Sequence, residues 1–560
     1  MTPSIIIHNG ALMTFDDGMP TAQALAIAGS RITAIGADAA ILPLAGPETR
    51  MIDAGGATVL PGFIDSHVHL FGGSVELDCL NLYGVTGLPA MRAGIRPYAQ
   101  ANPDDALVFC VMADYGILGT GKTPTRHDLD RILSDRPLAM FAPDHHTIWA
   151  NTAALKAAGL LQGGPTDAGS EIVMGEDGLA TGELLEPGAY EPVLRLTRHG
   201  GRDMLGLTTG KDPVPPATAD QRRIDKDVLA KGLAHCAAQG ITGLHLMDGN
   251  RYQLELLSEL EAEGRLLCRC RVPFHMKGTD PLERMTAEAP AMRDDFQSGK
   301  IACSHVKMFI DGVVESGTAL MLRPYPGELG ANGNSGDEVF TQEHFVACCA
   351  EADRLGFQIA VHAIGDAGVR RTIDAFEAAA KANGTRDSRH RIEHIEVIHP
   401  DDIPRLAALG IVASLQPGHA PTGHIFPPGG VGPYLHPDQI AGAYAWQTIR
   451  DAGARVIFST DWPVIPVTVM ANVKAAIAPL DLGGGWADQT QTLHDTLASY
   501  TCGNAWSEFN EDRKGKLAAG MAADVAIMSH DLTQLAPGNV TAARAMTTIC
   551  DGIVTYQHGF

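Results

Sequence analysis

Apolar and polar positions alternate with a period of two through residues 4–60, in IIIHNGALMTFDD, ALAIAGSRITAIG and TRMIDAGGATVLPG. That is the pattern of strands that bury one face. Asn9-Gly10 and Asp17-Gly18 read as hairpin-type turns. The stretch from about Lys514 repeats the pattern, with an apolar run at 524–528 and a second at 543–556 around Asp551-Gly552. Neither piece can bury a core of its own, which predicts one β-sandwich domain built from both chain ends, residues 1–57 with 514–560. Between them the pattern changes. Short runs at 58–66, 241–247, 268–275, 302–309, 358–362, 389–394, 411–416 and 455–460, most of them rich in apolar residues, read as candidate barrel strands. Helical periodicity falls between them, at 227–239, 254–263, 342–355 and 369–382. Eight such strands predict an α/β fold, a (β/α)8 barrel of the TIM type over 58–71 and 226–513. The second strand comes late, so residues 72–225 form an insertion after the first barrel strand. It has strand-like runs at 106–113 and 138–142 and a Gly/Pro-rich stretch at 162–181. Long excursions of this kind serve as lids or substrate walls.

Composition narrows the class. With 560 residues, 45% hydrophobic and 19% charged, the chain reads as a globular enzyme. A net charge of −23 argues against a nucleic-acid partner, which needs a basic patch. No run approaches the roughly 20 apolar residues of a membrane span. The 10 cysteines include no Cys-x-x-Cys pair, which excludes a zinc ribbon. The start lacks a basic, then apolar leader, so a cytoplasmic location with reduced thiols is expected.

The chemistry sits at the ends of the apolar runs. The first ends in Asp65-Ser66-His67-Val68-His69. Residues two apart on a strand share a side, so His67 and His69 present two imidazoles together, half of a metal site. Further runs deliver Lys307, His362, His394 and Asp461. A lone lysine in such a run is ordinarily a snorkelling surface residue, and a lone aspartate after a strand a cap. Several strands each ending in a ligand-type residue are hard to explain that way, and active sites of such barrels lie at the C-terminal ends of the strands.

The order His-x-His, Lys, His, His, Asp resembles the metal-dependent amidohydrolase superfamily, in its binuclear branch with a carboxylated lysine. The finer resemblance is to YtcJ-like amidohydrolases, which include N-substituted formamide deformylases. It is carried by PGFIDSHVHL, VKMFIDG with the following LRPY, VHAIGD, RIEH, STDWPV and GKLAAGMAADVAIM. The resemblance covers essentially the whole chain. It implies metal ligands His67, His69, Lys307, His362, His394 and Asp461, most simply two zinc ions, with Lys307 carboxylated by CO2 to an anionic bridge. Asp461 is then the general base, and His146 a candidate to stabilise the oxyanion. Tyr115, His146, Arg323, Tyr325 and Trp462 are candidate substrate contacts, while Asp311 and Asp366 are expected to fix loops.

The expected reaction is hydrolysis of an amide, formamide or carbamate-like C–N bond in a small, hydrophobic molecule. The first alternative keeps the site and changes the bond, to an ester, lactone or phosphoester. A distant one is a non-catalytic scaffold, which would be expected to lose metal ligands. Lys307 could instead form a plain ion pair beside a single metal. The expected partner is a small-molecule substrate, with no nucleic acid and no membrane, and the expected assembly a homo-oligomer with a dimer favoured.

Overall fold

The computed structural model describes residues 2–119, 121–143, 145–166, 170–426 and 430–559. The chain divides into two compact units, one of Met1–His69 with Leu233–Phe560 and one of Leu70–Gly232. Among the described residues, no helix is long and apolar enough to cross a membrane.

The first unit is organised by eight parallel strands: β1 (Phe63–Val68), β2 (Ile241–Leu246), β3 (Arg269–His275), β4 (Ile301–Phe309), β5 (Gln358–Ala363), β6 (Arg391–His394), β7 (Val412–Leu415) and β8 (Arg455–Phe458). Each pairs with its sequence neighbour, which gives a nearly closed barrel. β1 and β8 meet through loop and side-chain bonds. The Asp461 amide donates to the His67 carbonyl (2.9 Å) and the His69 amide to the Trp462 carbonyl (2.8 Å). Asp65 accepts from the Thr460 amide (2.9 Å) and hydroxyl (2.6 Å). Helices α1 (Arg251–Ala262), α2 (Leu282–Asp295), α3 (Gln342–Arg354) and α4 (Asp366–Asn383) alternate with β2 to β6. Asn250 caps α1 and Thr341 caps α3, each side chain accepting from the amide three residues on. The helix expected over 227–239 runs Ala219–Ala237.

The run at 58–66 is not one strand. Thr58–Pro61 pairs antiparallel with Val525–Met528 and parallel with Ala11–Met13, and only after Gly62 does the chain enter the barrel as β1. A Cβ at Gly62 would lie 2.2 Å from Thr242 Cγ2 on β2, so the crossing from one sheet to the next is open to glycine alone. A continuous apolar stretch hides such a change of sheet, because both halves are buried.

Both chain ends contribute to one six-stranded sheet, ordered Ile553–Gln557, Ala545–Cys550, Val525–Met528, Thr58–Pro61, Ala11–Met13 and Thr21–Ala22. A four-stranded sheet joins Arg31–Gly36, Ala24–Ala28, Ile5–His8 and Arg50–Asp53. Ile5, Leu25 and Ile27 of the second share an apolar cluster with Val59, Val525 and Ile549 of the first. Asp551-Gly552, both at positive φ, closes a hairpin, as its sequence predicts. Asn9-Gly10 does not. Ile5–His8 and Ala11–Met13 lie in different sheets, and Asn9, at φ 53°, turns the chain from one to the other.

The second unit carries a mixed sheet of Glu171–Met174, Ala180–Leu185, Thr147–Ala150, Leu138–Phe141, Val108–Val111 and Leu80–Asn81. Alternate residues serve opposite faces: Phe109, Phe141 and Ile148 join one apolar cluster, and Val108, Met140 and Trp149 another. Part of the Gly/Pro-rich stretch at 162–181 is thus ordered as the edge pair of this sheet.

Gly62→Ala is expected to destabilise the protein by about 1–3 kcal/mol through overpacking. Thr242→Ala should recover part of that loss, as read by chemical denaturation of the single and double variants. An equal cost in both backgrounds would remove the Gly62–Thr242 contact as the cause.

Candidate metal centre

His67 and His69 leave the end of β1 on the same side, as the strand period requires. Each is oriented through Nδ1. His67 Nδ1–H donates to Glu393 Oε2 (2.8 Å) and His69 Nδ1–H to Asp248 Oδ1 (2.6 Å). Both Nε2 atoms are therefore left facing inward, each 3.3 Å from Asp461 Oδ1. A carboxylate behind an imidazole is the usual means of fixing the tautomer of a metal-binding histidine.

His394 and Asp461 complete the group. The ligand atoms of His67, His394 and Asp461 lie within 4.8 Å of one another, and all three residues are buried. His394 Nδ1–H donates to Gln416 Oε1 (2.9 Å), and the Gln416 amide donates in turn to Ser459 Oγ (2.8 Å). His394 and Asp461 hold φ of 75° and 60°. Non-glycine residues reach this region rarely, and such strain concentrates at functional sites.

His362, at the end of β5, stands one ring further out. Its centroid lies 4.6 Å from that of His394, and its Nε2–H donates to the Gly312 carbonyl (3.2 Å). Lys307 on β4 is fully buried, with Nζ 4.4 Å from the Phe309 ring centroid and no hydrogen-bond partner among the described residues. Burial pushes its ammonium down to about 8, against the pull of Glu393 and Asp461.

The other ionisable groups respond to the same low-dielectric interior. Burial pushes His67 down to about 4. Burial also opposes charge on His69, but Asp248 and Asp461 overcome it and raise the ring to about 10. Burial disfavours the Asp461 and Glu393 carboxylates. The surrounding imidazoles hold Asp461 well below the usual carboxylate range, and Arg391 does so for Glu393. Arg391 is itself fully buried. Its Nε donates to Glu393 Oε1 (2.5 Å) and one Nη to the Ser66 carbonyl (2.6 Å).

These residues fit a divalent cation. The Nε2 atoms of His67 and His69 converge on Asp461 Oδ1, and that oxygen is buried with no hydrogen-bond partner among the described residues. An orphaned carboxylate oxygen among inward-facing imidazoles is a costly arrangement that a cation relieves. Imidazole and carboxylate donors suit zinc and its first-row neighbours.

The candidate substrate contacts scatter. Trp462 is buried, its ring 5.6 Å from that of His235. Arg323 is exposed and paired with Asp438. The Tyr325 hydroxyl is committed to the Ala319 carbonyl (2.6 Å), which makes this tyrosine a brace for its own loop. Asp311 holds loops by accepting from the amides of Leu320, Ile364 and Gly365. Asp366 accepts from the Leu322 amide. His146 and Tyr115 belong to the second unit. There His146 Nδ1–H donates to Glu186 (2.8 Å), and the Tyr115 and Thr147 hydroxyls share a bond (2.8 Å).

Sequence reasoning missed Asp248, Glu393 and Gln416, the partners of the three imidazoles. One signal was present: Arg391 and Glu393 are opposite charges two apart in a strand otherwise fit for burial. Asp248 and Gln416 sit just beyond strand ends and carried no pattern of their own.

Comparison with known proteins agrees with this geometry. Residues 50–556 match the model of the Amidohydrolase family, so the chain belongs to that family. It is accordingly a hydrolase of carbon–nitrogen bonds other than peptide bonds. The chain is 27% identical to the amidohydrolase YtcJ of Bacillus subtilis (strain 168) over 521 residues, 91% of each chain. It is 25% identical to the N-substituted formamide deformylase of Arthrobacter pascens, over 99% of this chain and 98% of that one. An uncharacterized metal-dependent hydrolase from Pyrococcus furiosus superposes with a TM-score of 0.70 at 25% identity, over 93% of this chain and 98% of that one.

Glu393→Gln and Asp248→Asn are each expected to weaken metal affinity about 10- to 100-fold, because the imidazole behind each loses its anionic partner. Competition with a chromophoric chelator would measure it. Unchanged affinity in both would show that the two carboxylates do not orient ligands.

Proposed function

We propose that the chain hydrolyses an N-substituted formamide or a related amide at a centre formed by His67, His69, His362, His394, Asp461 and carboxylated Lys307. The observation that carries this is the convergence of His67, His69 and His394 on the Asp461 carboxylate, with a lone buried lysine on the same barrel. The similarity to an N-substituted formamide deformylase along almost the whole chain supports the substrate class.

When bound, divalent metals acidify a water and polarise a carbonyl oxygen. The protein supplies the rest. Asp461, held ionised by the imidazoles around it, takes the proton of the attacking water. It returns that proton to the leaving nitrogen, and the electron pair of the broken C–N bond stays with the amine. Lys307 is an ammonium in its ordinary state and ligates nothing. With its pKa lowered to about 8 by burial, part of it is neutral near physiological pH. The neutral amine adds to CO2 and loses a proton, leaving an anionic carbamate able to bridge two cations. Trp462, buried directly after Asp461, offers an apolar surface beside it. The two terminal sheets are read as the faces of a β-sandwich. A reducing cytoplasm suits the ten cysteines, all of them free.

One observation favours a single-metal version of the site. Among the described residues, only His67, His394 and Asp461 form a group of three with ligand atoms within 4.8 Å of one another, and His362 is not in it. Elemental analysis decides between the two. About two zinc ions per chain, falling in Lys307→Ala, are expected; one ion, unchanged by the substitution, would leave Lys307 as an ion-pair partner.

Asp461→Asn is expected to lower kcat by about 10²–10⁴, measured on a panel of formamides, acyl amides, carbamates, esters and lactones. Amide turnover should exceed ester turnover in the wild type. Near-normal turnover by the variant would remove Asp461 from the proton-carrying role.

A further inference from the structure

One imidazole at this end of the barrel has no part in the chemistry described so far. His419 ends a short turn, Pro417–His419, that follows β7 directly. Its side chain is only 9% exposed, and its Nε2 is buried without a hydrogen-bond partner among the described residues. That nitrogen lies 3.6 Å from Asp461 Oδ2, and the ring is nearly parallel to that of His394, 6.0 Å away. On its other side, Nδ1 lies 3.5 Å from Glu396 Oε1, and Glu396 Oε2 accepts from the Tyr444 hydroxyl (3.0 Å). Glu396, Tyr444 and His419 line one small cavity with His394 and Gln416.

The turn that carries His419 is tightly seated. The Gly418 amide donates to Asn472 Oδ1 (3.0 Å), and a Cβ at Gly418 would come within 2.4 Å of Ile465 Cδ1 and 2.6 Å of Asn472 Oδ1. The position of the ring is thus set by packing, and its facing by Glu396. Leaving Nε2 buried and unbonded would cost free energy unless a ligand or water meets it.

The 3.6 Å separation is informative. It is too long for a hydrogen bond between His419 and Asp461, and it suits two atoms that share a third polar atom at normal hydrogen-bond distance from each. In the reaction read above, the atom that must approach Asp461 to receive a proton is the leaving nitrogen. We propose that His419 is a further catalytic residue, whose Nε2 hydrogen-bonds the leaving nitrogen of the scissile amide while Asp461 serves the same atom, with Glu396 and Tyr444 as its positioning residues. This rests on the amide-hydrolase reading of the site.

The test uses the metal-loaded full chain with His419→Ala, His419→Gln and Glu396→Gln. Three readouts are needed: metal content, steady-state kinetics on an N-alkyl formamide and on the matching alkyl formate ester, and calorimetric binding of an N-alkyl phosphonamidate, a non-cleaved analogue of the tetrahedral adduct. His419→Ala should keep its full metal content. It should lose about 10- to 100-fold in kcat/KM on the formamide, the size of one buried hydrogen bond, and less than threefold on the ester. Phosphonamidate affinity should fall with formamide turnover. His419→Gln, which offers a polar atom in the same region, should recover part of both, and Glu396→Gln should fall between wild type and His419→Ala. Loss of metal in His419→Ala would make it a ligand and overturn the proposal. Equal losses on formamide and ester, or unchanged phosphonamidate affinity, would overturn it too and leave His419 a partner of bound water. A wild type that cleaves no amide overturns the reading of the reaction, and phosphonamidate binding to wild type and His419→Ala still decides whether Nε2 meets the nitrogen side of the bond.

Discussion

Burying charge inside a barrel requires that every charge find an opposite, and the Glu393 carboxylate is where that requirement concentrates. One of its oxygens takes the Arg391 guanidinium, and the other takes His67 Nδ1. Arg391 in turn ties the base of the site to the Ser66 carbonyl on β1 and to His245 on β2. A single carboxylate therefore links β6 to β1 across the barrel interior and fixes which nitrogen His67 presents. Removing one partner from such a buried pair leaves an uncompensated charge, which is far more destabilising than the intact pair is stabilising. Architecture and ligand geometry depend on the same contact.

The barrel supplies what the candidate ligands need in common, a set of strand ends that converge. Parallel strands side by side place β1, β5, β6 and β8 with their C-terminal residues at one rim. His67, His69, His362, His394 and Asp461 are separated by up to 394 positions in sequence yet share that rim. The closing bonds between β1 and β8 run through the ligand residues themselves, since the His67 carbonyl and the Asp461 amide form one of them. Distortion of the site and opening of the barrel are consequently the same event at that seam. The terminal sheets reach the seam through Gly62, the residue at which the chain passes from the six-stranded sheet into β1.

Around the candidate ligands lie groups that decide how the imidazoles point. Asp248, Glu393 and Gln416 each accept from the Nδ1 of a different histidine. His67 and His69 so oriented turn Nε2 toward Asp461 Oδ1, which has no hydrogen-bond partner among the described residues, and His394 stands beside the same carboxylate. Polar groups in this state are poor contributors to stability and good ones to cation affinity, the trade expected of a functional site.

The sequence by itself determined the barrel and the family of hydrolases to which the chain belongs. Short runs alternating with helical periodicity read as buried strands, and a ligand-type residue at five of their ends marks one rim. His-x-His needed only the period of a strand to become a pair. What the pattern could not carry was anything that depends on which faces meet. Val59–Ile64 carries no polar side chain, so the change of sheet at Gly62 leaves no trace in its periodicity. Asn9-Gly10 has the composition of a hairpin turn, and only the pairing partners show that it joins two sheets. That Tyr325 bonds the Ala319 carbonyl and Arg323 pairs with Asp438 is likewise visible only in the tertiary structure. Asp248, Gln416 and His419 follow strand ends without a motif, because orientation by hydrogen bond is a property of two distant residues at once. Periodicity is written locally along the chain and survives in one dimension; hydrogen-bond partnership between remote side chains comes into being only when tertiary packing brings them within 3 Å.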